Sequence, residues 1–198
     1  MRIVAGRHRG RRLEAPAGLT VRPTADRTRE ALFNILGQGK LPWRPGAKAQ
    51  GPERHGNPLA GIRVLDGFAG TGALGLEALS RGAAHVTFME NQAAALAACQ
   101  NNIGLLEEAA RSELLRCDVL RPPSAKAPCA LVLMDPPYNQ DLAAPALGAL
   151  ATAGWLAPGA LAVVELMAKE PFTPPEGFEL VDERKYGKAR LVFLRAPG

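Results

Sequence analysis

Four consecutive residues, Asp135, Pro136, Pro137 and Tyr138, place a carboxylate, a rigid backbone carbonyl and an aromatic ring side by side. The two prolines fix the turn, because each ring locks φ and restricts the residue before it. The chemistry that such a set suits is alkylation of an exocyclic amine on a nucleobase. The lone pair of that amine is delocalised into the ring, which makes it a poor nucleophile. Hydrogen bonds from the –NH2 group to the Asp135 carboxylate and the Pro136 carbonyl draw the pair out of conjugation. They also stabilise the positive charge that develops on nitrogen. Tyr138 can stack on a base turned out of its helix. In isolation the tetrapeptide can also be only a rigid polar turn.

A second constellation lies upstream. Gly70, Gly72 and Gly75 follow a short apolar run and open a helical one. In that context glycines allow a sharp turn and close approach to a ligand, and the helix N-terminus offers free N–H groups. Glu90 falls about 20 residues further on, where a carboxylate can hold both ribose hydroxyls. Asp66 stands directly before the loop, where it would repel a pyrophosphate. It suits instead the amine-bearing end of a ligand such as S-adenosylmethionine, or it caps the helix. Asp118 can accept from an adenine amino group or merely close a turn. Phe68 reads equally as a core anchor and as a ligand wall.

These groups need a scaffold, and the pattern of the chain supplies one. From residue 61 onward strand and helix patterns alternate, with strands expected at 62–65, 86–89, 114–117, 130–134 and 160–166. Helices are expected at 73–81, 92–103 and 141–153, and a closing hairpin at 178–184 and 190–194. Alternation of this kind implies a doubly wound, mostly parallel α/β sheet, here with an antiparallel C-terminal hairpin. It puts both constellations at the carboxyl edge of the strands.

The N-terminal part has a different character. The 198-residue chain carries a net charge of +5, and eight Arg against three acids in residues 1–30 account for all of it. Arg is the planar, bidentate phosphate binder, so a basic arm on a neutral body points to a polyanion partner; a solvated tail is the alternative. Residues 2–13 read as a ribbon with Arg7, Arg9, Arg11 and Arg12 fanned outwards. A helix follows from 22–24 to Gly37, with Thr24 as N-cap. Residues 37–60 hold five Gly and four Pro, the composition of a linker. The expected division is thus a basic extension at 1–36, a linker at 37–60 and a catalytic domain at 61–198. Deleting residues 1–12 is expected to weaken polyanion binding and spare cofactor binding.

Three widely spaced cysteines, without any C-x-x-C pair, argue against a disulfide framework or metal site and fit the cytoplasm. The sequence contains no run of about 20 apolar residues and no visible secretory leader, so no membrane partner is expected. His8 and His85 read as surface and strand-edge residues.

At the motif Asp135–Tyr138 the sequence resembles the amino-methylating, S-adenosylmethionine-dependent methyltransferases. The match narrows through Arg2-Ile-Val-Ala-Gly6, Arg9-Gly10-Arg11, the stretch from Arg22-Pro-Thr to Phe33-Asn34, residues 65–82 and Tyr186-Gly187-Lys188. Together these are similar to the bacterial 16S rRNA guanine-N2 methyltransferase family. The resemblance covers nearly the whole chain except 37–60, a stretch that looks longer than usual for the family. It implies a Rossmann-like methyltransferase sheet, and a cofactor held by Asp66, Phe68, Ala69, Gly70, Thr71, Gly72, Glu90 and Asp118. It further implies a target guanine held by Asp135 to Tyr138, and 16S rRNA of the small subunit gripped by the arm, Arg22 and Arg27. The protein is expected to act as a monomer. The residues by themselves leave other activities open: an N6-adenine methyltransferase, an NAD-linked oxidoreductase, or a silent RNA-binding assembly factor.

Overall fold

The computed structural model describes residues 1–16, 23–37, 41, 43 and 59–198. Apolar β-branched and leucine-rich runs form the centre of a seven-stranded sheet. Its strands are β1 (Arg63–Gly67), β2 (His85–Glu90), β3 (Ser112–Arg116), β4 (Cys129–Met134), β5 (Leu156–Met167), β6 (Glu179–Tyr186) and β7 (Ala189–Arg195), in the order β3-β2-β1-β4-β5-β7-β6. The first five are parallel, and β7 enters antiparallel between β5 and β6. This is the expected doubly wound sheet with its C-terminal hairpin. Some strands run longer than the apolar runs suggested, because Asp66, Gly67 and Glu90 continue the ladders although polar or side-chain-free.

Helices α1 (Pro23–Gly37), α2 (Ala73–Ser80), α3 (Ala93–Leu105) and α4 (Ala143–Thr152) cover the two faces. Alternation along the strands sorts the core. Val64, Leu131, Leu133 and Val163 face a cluster with Phe33 and Leu36 of α1, Leu76 and Leu79 of α2 and Cys99 and Ile103 of α3. Leu65, Val132, Met134 and Val164 face Ala146, Leu147 and Leu150 of α4 and Trp155. The Trp155 indole N–H donates to the Pro123 carbonyl at 2.7 Å, so its large ring is buried without an orphaned donor. Each buried Leu or Phe of this kind contributes about 1.5–3 kcal/mol.

Helix α1 begins at Pro23, the position best suited to a residue without an N–H. Thr24, the expected N-cap, therefore lies within the first turn instead. Most of 37–60 lies outside the described residues, but Leu41, Trp43 and Leu59 are buried in the first core cluster.

The basic segment does form a ribbon, with Arg2 bridged to Arg12 and the Ile3 N–H donating to the Arg11 carbonyl at 2.9 Å. It does not stand apart from the body. Ile3 and Leu13 are buried in the same cluster as α1 and α2. The fully buried Glu77 carboxylate accepts from the backbone N–H of Val4 and Ala5 at 2.8 and 3.0 Å. Ser80 donates to the Ala5 carbonyl at 2.6 Å and accepts from the His8 N–H at 3.0 Å. Gly6 lies so close to α2 that a Cβ there would sit 2.0 Å from the Ser80 carbonyl oxygen, at φ +84°. His8 is no surface residue: its Nε2 meets Glu108 at 2.5 Å, and Glu108 also binds Arg111. Burial alone would raise the Glu108 carboxyl, but the His8 and Arg111 hydrogen bonds outweigh it and hold it below its usual range.

Candidate active site

The direction of chain winding reverses between β1 and β4, so their carboxyl ends leave a crevice. Register makes the crevice concrete: Gly67 pairs with Met89 on one side and with Met134 on the other. Phe68, Glu90 and Asp135 therefore leave the sheet side by side. One strand further, Met134 pairs with Val164, which brings Glu165 next to Asp135. Two motifs about 65 residues apart in sequence thus share one edge because adjacent strands spread by only ~5 Å.

The loop after β1 is tied down by backbone bonds. The Ala69 N–H donates to the Met89 carbonyl at 3.0 Å and the Gly72 N–H to the Ala69 carbonyl at 2.7 Å. Phe68 adopts φ +60°, uncommon for a side chain of that size, with its ring against the α4-side core. The three glycines have two different reasons. A Cβ at Gly75 would lie 2.3 Å from Phe88, and one at Gly72 would lie 2.7 Å from the Cys99 sulfur, so both serve packing of α2 onto β2 and α3. Gly70, at φ +55°, faces space with no atom within 4 Å of a Cβ, which is the place where a ligand has room.

The acids are arranged around this loop. Glu90 is buried; its Oε2 accepts from the Gly70 N–H and its Oε1 from Asn91 and Gln92, all at 2.8 Å. Asp66 is buried at 1% exposure and its Oδ2 accepts from the Gly75 N–H at 2.8 Å, in the first turn of α2. It therefore does cap that turn. Burial pushes the Asp66 carboxyl well above the ordinary carboxylate range; the Gly75 bond opposes this, and the charges of Asp135 and Glu90 add to it. Three carboxylates converging on one crevice are mutually destabilising, and a cationic ligand relieves them. Asp118 accepts from the Leu120 N–H at 3.0 Å and lies 3.4 Å from Arg121, so it closes the turn after β3 at the same edge.

Beyond β4, Asp135 and Pro137 are exposed, Pro136 is buried and Tyr138 half-buried. The Tyr138 hydroxyl donates to Glu165 Oε1 at 2.8 Å. Glu170, 7% exposed, accepts from the Asn139 N–H at 2.9 Å and the Met167 N–H at 3.1 Å, clamping the turn to the end of β5. Neither glutamate stands out in the sequence, since nothing about their spacing from Tyr138 signals a contact. Asn102 is a third such residue. Fully buried in α3, it accepts from the Glu14 N–H at 2.7 Å and donates to the carbonyls of Glu14 and Thr71, both at 3.0 Å. It joins the basic segment to the glycine loop.

The predicted polyanion contacts are divided between the ribbon and α1. Arg7, Arg9, Arg11 and Arg12 are exposed on the ribbon and Arg27 on α1. Arg11 also donates to the Leu105 carbonyl at 2.5 Å. Arg22 lies outside the described residues. Arg29, expected only as part of a motif, is buried at 3% and donates to the Arg2 carbonyl at 2.7 Å. Cys99, Cys117 and Cys129 are free thiols; burial pushes Cys129 up to about 12. Cys117 falls just past β3 rather than within a strand. Among the described residues no cluster of three His, Cys, Asp or Glu is close enough to hold a metal. Among them, too, no helix is long and apolar enough to cross a membrane.

Comparison with known proteins agrees with this fold. The family described as Conserved hypothetical protein 95 matches residues 1–195. Ribosomal RNA small subunit methyltransferase D of Haemophilus influenzae is 34% identical over 94% of this chain and 89% of its own length. The protein of the same name from Escherichia coli K12 is 33% identical over 100% and 92%. Among solved structures, a methyltransferase candidate from Escherichia coli, yhhF, superposes with a TM-score of 0.78 at 31% identity, covering 100% of this chain and 98% of that one. Magnesium protoporphyrin IX methyltransferase of Synechocystis, at 14% identity and a TM-score of 0.60 over 87% and 80% of the two chains, shares the fold. The chain belongs to the Conserved hypothetical protein 95 family, alongside ribosomal RNA small subunit methyltransferase D.

Proposed function

We propose that this chain transfers a methyl group from S-adenosylmethionine to the exocyclic N2 amine of a guanine in 16S rRNA, in the small ribosomal subunit or its assembly intermediate, acting as a monomer in the cytoplasm. The observation that carries this is the shared edge of β1 and β4, which sets the glycine loop beside Asp135–Tyr138. The names of the relatives supply the rRNA and the subunit; the choice of guanine N2 rests on the motifs of the N-terminal segment.

The residues fit the cofactor. Open space beside Gly70 gives it room, and the acid-lined crevice favours a ligand carrying positive charge. When bound, S-adenosylmethionine supplies an electrophilic methyl on a sulfonium. The chain would do the rest. Asp66 draws the ammonium end towards the start of α2, a charge-assisted contact. Glu90 has three of its roughly four acceptor positions taken by backbone N–H groups and offers the last to a ribose hydroxyl. The Phe68 ring and Ala69 form the wall, the Thr71 and Gly72 backbone holds the loop's shape, and Asp118 lies at the adenine end. Asp135 and the Pro136 carbonyl accept from the guanine –NH2, holding its lone pair towards the methyl, while Tyr138 supports the base. Much of the acceleration then comes from holding nitrogen and methyl in line.

The test is nucleoside mass spectrometry of small-subunit rRNA after incubation of unmodified subunits with protein and S-adenosylmethionine. N2-methylguanosine is expected. Asp135→Ala should lower turnover about 100-fold or more, the usual worth of one such electrostatic contact, with cofactor affinity kept. N6-methyladenosine would replace guanine by adenine as target, and an Asp135→Ala protein with full activity would overturn the mechanism.

A further inference from the structure

We propose that a groove beside Tyr138, between the start of α4 and the loop after β5, receives the unpaired nucleobase that adjoins the target guanine in the same RNA strand. This rests on the guanine entering between Asp135 and Tyr138. The groove encloses about 790 Å3 and is lined by Asn139, Asp141, Pro145, Glu170, Phe172 and Pro175 among others. That volume falls in the range of pockets that bind small molecules. It adjoins the target site, because Asn139, one of the residues lining it, follows Tyr138 directly. A strand that places one base against Tyr138 must lay its neighbour across Asn139.

The lining suits a base and not a phosphate. None of the residues lining the groove is a Lys or Arg, and its two charged groups are the carboxylates of Asp141 and Glu170. A phosphate would be repelled there. A neutral heteroaromatic ring finds an aromatic face on Phe172 and flat apolar faces on the prolines. Asp141 and the Asn139 amide stand at the rim as hydrogen-bonding groups. Phe172 is half-buried with its other side packed on the core, so the floor is fixed. The two walls are also fixed to each other. Glu170 accepts from Asn139 and Met167, and its own carbonyl accepts from Arg190, whose guanidinium also pairs with Glu183 at 3.1 Å. Asn139 and Asp141 are held at φ +57° and +51°, a backbone held off its common conformation at the rim. A rigid stacking platform costs little ordering on binding.

Small subunits reconstituted with 16S rRNA carrying a purine or a pyrimidine on either side of the target guanine provide the test. Methyl transfer is measured with wild type, Phe172→Ala and Phe172→Leu. The wild-type KM for subunits should rise several-fold from purine to pyrimidine at one of the two positions. Both variants should show a KM roughly tenfold higher and lose that dependence, while the Kd of S-adenosylmethionine stays unchanged. Phe172→Leu keeps the apolar packing and answers the question if the alanine variant fails to fold. The groove assignment is overturned if wild type is indifferent to both neighbours, or if the variants keep the dependence or leave KM unmoved. Asp135→Ala, run alongside, separates the two levels. If it methylates normally, the target pocket itself is misplaced; if it is inactive while the Phe172 variants behave as wild type, the groove alone falls.

Discussion

In the role proposed for it, Asp66 would serve binding at the expense of stability. Its folded carboxyl is raised, so between the unfolded value near 3.9 and its folded value the native state binds the extra proton. Stability therefore falls as pH rises through that window, so that towards pH 7 burial of this carboxyl costs the ligand-free protein stability. Asp66→Asn keeps an oxygen for the Gly75 N–H and removes the charge. Without cofactor the variant should melt higher than wild type at pH 7, by roughly 2–4 °C for each 1 kcal/mol recovered, and the gap should close towards pH 4. Its affinity for S-adenosylmethionine should drop by about 1.5–3 kcal/mol, the worth of a hydrogen bond to a charged group. Melting and titration calorimetry across pH check both, and a variant that melts lower at pH 7 overturns the argument. Asp66 was legible beforehand because its neighbours in sequence, the glycines, are also its neighbours in space. Glu77, Asn102 and Glu170 were not. Each is a polar residue buried by partners 31 to 88 positions away, and no local pattern encodes such a meeting.

The N-terminal ribbon shows the same limit for an element. Its Arg-rich composition described its outer side and hid its inner one, where Ile3, Leu13 and the partly buried Met1 pack on the core and backbone groups add hydrogen bonds. Removing residues 1–12 would strip the Val4 and Ala5 N–H groups from the buried Glu77 carboxylate, leaving it only Arg81 at 2.7 Å, and would open Gly6's contact surface on α2. Each lost hydrogen bond to that charged group costs about 1.5–3 kcal/mol, and the apolar contact of Ile3 goes with them. The truncated protein should therefore lose much of its stability, and cofactor binding would fail with the fold rather than survive it. Chemical denaturation of the truncated chain checks this; a denaturation midpoint equal to wild type would restore the picture of an independent arm. Asn102 extends the consequence to the site, because one amide holds both Glu14 and Thr71. Asn102→Ala leaves backbone groups of both segments unpaired, at about 1–3 kcal/mol each. Hydrogen exchange should rise together at residues 13–15 and 70–72, and S-adenosylmethionine should bind more weakly. Faster exchange at 13–15 alone would show that the amide braces the ribbon without reaching the loop. The sheet itself was far more legible than either link, since alternation of apolar runs with helical ones dictates its winding, and the crevice at its switch point follows from the winding.

Over the whole molecule the charge divides by place. The net +5 resides in residues 1–30, and the ribbon docks on α2 and α3, whose ends adjoin the glycine loop through Asn102 and Thr71. In the proposed reading a polyanion would be attracted by the ribbon, while the acidic crevice repels phosphate. Separation of this kind lets the backbone of an RNA be held on one side and a neutral base be admitted on the other. Not every arginine serves the first task. Arg29 is spent inside, on the Arg2 carbonyl, whereas Arg7 and Arg9 are exposed at the ribbon's turn. Because phosphate contacts release counterions, the logarithm of RNA affinity should fall linearly with the logarithm of salt concentration. Replacing both Arg7 and Arg9 with Gln removes two contacts without touching the backbone bonds that hold the turn. The slope should then become shallower by about 1.4 to 1.8, with melting temperature and cofactor affinity as in wild type. Filter binding of small subunits between 50 and 200 mM salt, roughly the range over which such contacts dominate, measures the slope. An unchanged slope would move the RNA backbone off the ribbon and onto Arg27 and its neighbours in α1, where the same double-substitution experiment can be repeated.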